Sequence, residues 1–291
     1  MAEQIVVGYD GSENSDRALD WAVREAEASA GELKVVVSMG RPVAVDPSLY
    51  GPFLEAIEEE AEKTAARAVD RARARGVAAV GVVERGDAAG VLVGESEGAS
   101  VLVLGRRGRH GVRGRLGSVS AAASAHAACP VVVVPGGARE LVPGPLEGRV
   151  VACVDRLGAD NPAVWAAARH AERHGLGLAL LTVAPDAVSV PTGSPELDLA
   201  VSEQLAEPAR ALVEQVAEAA REDHPGLDVL TAVRTGPPAE RLAEASRSAE
   251  LLVLGSRGYG GFRGLLMGSV SQAVLADSEA PVMVVPTRRP R

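Results

Sequence analysis

LLVLGSRGYGGFRGLLMGSVS occupies residues 251–271, and VLVLGRRGRHGVRGRLGSVS occupies residues 101–120. Each is an unbroken apolar run, then a segment dense in Gly and Arg, then Gly-Ser-Val-Ser opening a helix-like stretch. Apolar runs without alternation describe strands buried on both faces, as in a parallel sheet. Glycine concentrated between strand and helix marks a tight turn, a close backbone approach or a flexible loop.

The match between these stretches extends outward, and internal repeats of this kind define a fold before any single element does. Residues 101–135 match residues 251–286, and VVERGDAAGVLVGESEGASVLVLG matches AVRTGPPAERLAEASRSAELLVLG at a constant offset of 150. The openings also correspond: IVVGYDGSENSDRALDWAVREAEASAG resembles VVACVDRLGADNPAVWAAARHAERHG, with Asp10 and Asp155 in the same place. GGARELVPGPLEG, residues 136–148, is rich in Gly and Pro and without periodicity, as a linker is. Two domains are therefore expected, at 1–138 and 149–291, joined by a linker at 139–148.

Within the first half, apolar runs at 4–9, 33–39, 77–84, 101–104 and 131–134 alternate with helical patterns at 15–30, 53–75, 88–98 and 117–127. Strand–helix alternation with right-handed crossovers predicts an α/β fold: two tandem doubly wound, Rossmann-like domains, each with a mainly parallel five-stranded sheet.

Composition narrows the function classes. Of the 291 residues, 47% are apolar but only 2% aromatic, so the core must be aliphatic. A net charge of −9 argues against a general nucleic-acid or anionic-membrane binder. Cys129 and Cys153 are too few for a disulfide framework or a cysteine zinc site. No apolar run reaches the length of a membrane span, and MAEQIVVGYD lacks a basic region and a long apolar stretch, so a cytoplasmic location is expected.

In open parallel sheets, ligands bind beyond the carboxyl ends of the strands where strand order reverses. Asp10 and Asp155 end the first strands there, and the glycine segments follow the fourth. Those segments run into helices opening with Gly117, Ser118, Val119 and Ser120, and with Gly268, Ser269, Val270 and Ser271. Unpaired N–H groups at a helix start favour phosphate. Glycine admits a close approach, the serines offer hydroxyls, and Arg257 and Arg263 offer charge. The competing reading is a strand-to-helix turn using glycine for tightness. The loop is not a P-loop, because GLLMGS has no lysine, and a dinucleotide fingerprint would follow the first strand.

The pattern resembles the universal stress protein family in its tandem two-domain form, over nearly the whole chain. The ATP-binding signature of that family is G-x2-G-x9-G-[ST]. Gly255, Gly258, Gly268 and Ser269 fit its spacing, and the following Val270 and Ser271 match as well. The resemblance implies ATP, with or without Mg, as the ligand of each half. It implies that Asp155 meets the ribose or adenine end and that Val183 and Met39, closing the second strands, lie against adenine. It also implies pairing through the last strand of each half, between halves or between chains in a homodimer.

The halves depart from that pattern differently. Gly105, Gly108 and Gly117 leave eight residues where nine are expected, yet Arg106, Arg107, Arg109, Arg113 and Arg115 crowd this loop. Asp10, Gly11 and Ser12 match at the first strand, where the second half has Asp155, Arg156 and Leu157. Two ATP molecules per chain are expected, with one the alternative. His170 and His174 stand at i, i+4, but the metalloprotease pattern needs Glu directly after the first His; they are read as a solvated helix face. Trp21 and Trp165 are read as core, and EEEAEK, residues 58–63, as an exposed helix face. No motif places a general base or an activated nucleophile. The expected function is an ATP-binding stress-response regulator or sensor; the alternatives are a nucleotide-free interaction scaffold and a slow ATP hydrolase.

Overall fold

The computed structural model describes residues 3–40, 47–108, 116–137, 139, 141–155, 161–185, 194–257 and 267–287. The chain forms two compact units, the first reaching Gly137 and the second beginning at Ala138.

The first unit contains β1 (Gln4–Gly8), α1 (Glu13–Ser29), β2 (Glu32–Ser38), α2 (Pro47–Ala74), β3 (Ala79–Glu84), α3 (Ala88–Glu95), β4 (Val101–Gly105), α4 (Ser118–His126) and β5 (Val131–Val134). Its strands stand in the order β3-β2-β1-β4-β5. Every pairing is parallel, with Val7 opposite Val35 on one side and opposite Val103 on the other. Ile5, Leu33 and Leu102 are fully buried in this sheet. α2 runs back through Gly51 and Pro52, which the sequence marks as a break before 53. Local propensity is a weak prior, and packing routinely overrides it.

The second unit repeats the plan with β6 (Arg149–Cys153), α5 (Pro162–His174), β7 (Gly177–Ala184), α6 (Pro195–Asp223), β8 (Val229–Thr235), α7 (Pro238–Ala245), β9 (Leu251–Gly255), α8 (Ser269–Asp277) and β10 (Val282–Val285). Its strand order is β10-β9-β6-β7-β8, again parallel throughout. Leu178, Leu180, Leu251 and Leu252 fill its core. In both units order reverses beside the first strand, so β1/β4 and β6/β9 open a crevice at their carboxyl ends.

The helices are held by local chemistry the sequence carries. Ser12 caps α1 by accepting from Ser15 N, and Asp87 caps α3 by accepting from Gly90 N. Gly175 ends α5 in the left-handed conformation that glycine adopts without steric cost. Glu59, Glu60, Glu62 and Lys63 of the EEEAEK run are exposed. Two residues sit differently from expectation. His170 is buried, its ring centroid 4.2 Å from that of His174, so this is not a solvated face. Trp165 is half-buried and stacks with His224 at 6.2 Å, whereas Trp21 is core. Among the described residues no helix is long and apolar enough to cross a membrane.

Candidate functional site

The two strand-to-helix segments leave their strands identically. Arg106 N donates to Val134 O at 2.8 Å and Ser256 N to Val285 O at 2.8 Å. Gly117 N then donates to Arg106 O, and Gly268 N to Ser256 O, both at 2.9 Å. Gly117 and Gly268 occupy the N-cap positions of α4 and α8 in extended backbone, and neither cap has a side-chain hydrogen bond. The first-turn N–H groups of each helix have no partner within the helix, and this is the polarity that attracts an anion.

The last serine of each GSVS has a structural bond. Ser120 Oγ donates to Gly105 O at 2.7 Å, and Ser271 Oγ to Gly255 O at 3.0 Å. Both serines are buried, so Ser118 and Ser269, the exposed first residues of the helices, carry the outward-facing hydroxyls.

Packing explains several signature glycines without reference to a ligand. A Cβ at Gly105 would lie 2.7 Å from Asn14 O, and one at Gly117 would lie 2.9 Å from Arg106 O. At Gly255 it would lie 2.9 Å from Thr287 Cγ2. At Gly108 it would lie 2.7 Å from Asp10 Oδ2, so the loop comes down onto that carboxylate. Gly258 lies outside the described residues, as do Arg156 and Leu157.

The crevices differ in size. In the first unit Asp10, Gly105, Gly108, Val119 and Ser120 meet around a cavity of about 120 Å³, with Arg107 also on its wall. Asp10 Oδ1 accepts from Ser12 N at 3.0 Å, and Gly11 makes the turn at φ +75°. Met39 is not on the wall; Ser38 is. Strand register gives the equivalent positions in the two units. Gly8 pairs with Val36 and Cys153 with Leu181, so Ser38 stands where Val183 stands.

In the second unit Asp155, Val183, Gly255, Arg257, Val270 and Ser271 surround a cavity of about 520 Å³. Gly268 and Ser269 stand at the adjoining start of α8. Two contributors escaped the sequence reading. Leu205, Pro208, Ala209 and Leu212 of α6 form an apolar panel at i, i+3, i+4, i+7 spacing, legible as a helix face but not as a cavity wall. Asn161, directly before α5, is 3% exposed and lines the cavity without capping its helix. Its place before Pro162 reads from sequence only as a helix start. Cys153 also lines this wall, and burial, with the Asp155 charge adding, pushes its thiol up to about 12.

A profile of the universal stress protein family matches residues 1–135 and again residues 148–286. A universal stress protein of Mycolicibacterium smegmatis is 33% identical over 298 residues, covering 99% of this chain and 97% of the relative. One of Mycobacterium tuberculosis strain H37Rv is 34% identical, covering 96% of each. The crystal structure of a universal stress protein from Archaeoglobus fulgidus superposes with a TM-score of 0.68 at 21% identity, covering 97% of this chain and 96% of that one, and thus shares the fold. Whole-chain identity of this order and a family match in both halves mean that the chain belongs to the universal stress protein family, with two tandem domains of it.

Proposed function

We propose that the second-unit crevice binds ATP and that the protein acts as a nucleotide-dependent stress-response regulator. The observation that carries this reading is the shape and polarity of the 520 Å³ cavity. Small-molecule sites run from about 300 to 1,000 Å³. One side of the cavity is the start of α8 with Arg257, suited to phosphates. Another is apolar, formed by Val183 and the α6 panel, suited to a purine face. The first-unit crevice, at about 120 Å³, falls below that range. That difference supports a reading of one nucleotide per chain, held by the second unit.

The test is to denature freshly purified protein and chromatograph what is released. The expected result is about one adenine nucleotide per chain, or calorimetric binding of added Mg-ATP at that stoichiometry. Finding neither overturns the reading and leaves a nucleotide-free scaffold. Rapid turnover of ATP would instead make the protein a hydrolase.

A further inference from the structure

Asn161 Nδ2 is buried and has no hydrogen-bond partner among the described residues. The residue is only 3% exposed, and its side chain makes no cap bond to α5. A buried donor left unmade is costly, and native proteins rarely keep one without a use. Asn161 lines the second-unit cavity, so a ligand there is placed to take the bond.

Sheet order says which part of the ligand that is. β6 stands between β9 and β7. The end of β9 and the start of α8 line the side read above as the phosphate end, and the end of β7 lines the apolar side. Asp155, at the end of β6, and Asn161, at the start of the helix that follows β6, lie between them. The middle of a nucleotide is its sugar. A ribose hydroxyl both donates and accepts, and here a carboxylate acceptor and an amide donor line one wall.

We infer that Asn161 is a specificity-determining residue of this cavity, donating from Nδ2 to a ribose hydroxyl oxygen and thereby selecting ribonucleotides over deoxyribonucleotides. This rests on the nucleotide reading above. A site built to bond a hydroxyl rejects the analogue lacking it, because the protein group is again left unpaired.

The test is calorimetry of the full chain with ATP, 2′-deoxy-ATP and 3′-deoxy-ATP, repeated on Asn161→Ala and Asn161→Asp. The wild-type protein should bind ATP at least tenfold more tightly than one of the deoxy analogues, which identifies the hydroxyl. Asn161→Ala should lose that preference. Asn161→Asp, which keeps the shape and removes the donor, should lose it too. Ligand-free Asn161→Ala should melt no lower than wild type, because Nδ2 donates to nothing among the described residues. Equal wild-type affinity for all three overturns the inference and leaves the nucleotide reading standing. So does an Asn161→Ala protein that weakens all three alike, which would mark a scaffold residue. No binding of any of the three overturns both.

Discussion

The Ser271 hydroxyl donates to the Gly255 carbonyl at 3.0 Å, tying the first turn of α8 to the end of β9. Ser120 and Gly105 repeat the bond at 2.7 Å between α4 and β4. The bond holds the helix start against the strand end, so the N–H groups face the crevice with little freedom to turn away. Ser271→Ala should therefore cost about 1 kcal/mol of stability, the usual worth of one such bond. Urea unfolding measures it; an unchanged midpoint would mean the bond holds nothing.

Gly268 sits where the loop enters α8, its N–H already donated to Ser256 O at 2.9 Å. A branched side chain there would stand beside the N–H groups that an anion must reach. Gly268→Val should weaken ATP binding by about ten- to a hundredfold, matching one or two lost charge-assisted bonds. Titration calorimetry gives the answer, with Gly117→Val as the control that should leave nucleotide stoichiometry unchanged.

Tyr9 is buried at the end of the first strand, and its hydroxyl donates to Asp16 Oδ1 at 2.8 Å. Burial, and then the bond and charge of Asp16, raise its pKa above the ordinary tyrosine value. A pKa raised on folding means that the protonated side chain stabilises the fold. That contribution is complete below the unfolded value of about 10 and disappears as pH rises through the higher folded value. Tyr9→Phe should cost about 1 kcal/mol at pH 7. The gap between variant and wild type should narrow in alkaline solution, read from melts across the pH range.

Burial pushes both thiols up to about 12, Cys129 beside Pro130 and Cys153 in the second-unit cavity wall. Thiolate is the reactive form, so neither should react appreciably with a disulfide reagent at pH 8. Both should titrate at once in denaturant. Fast reaction of one thiol in native protein would contradict the raised pKa described for it.

Leu252 is fully buried on β9, flanked by β10 and β6. Leu252→Ala should cost about 2–5 kcal/mol, transfer and cavity terms together. Leu205, on the α6 cavity wall and 42% exposed, should cost far less on truncation but lower nucleotide affinity. Paired stability and binding measurements separate the two roles.

The duplicated pattern in the sequence determined the architecture. Unbroken runs such as VVVV at 131–134 and LLVL at 251–254 suit strands covered on both sides, as in a parallel sheet, and both runs are strands buried on each face. The position of the glycine segments after the fourth strand, and of Asp10 and Asp155 after the first, followed from the same alternation. Tertiary structure decided what no local pattern encodes. Ser38 rather than Met39 lines the first crevice, in the position that Val183 holds in the second. The two crevices differ in volume although their loops differ by one residue in spacing, because volume depends on how Tyr9, Asp10, Leu92 and Leu104 close one of them and how α6 walls the other. Asn161 acquires meaning only when α5 carries it over the end of β6, since an unpaired donor is a property of surroundings gathered from distant parts of the chain.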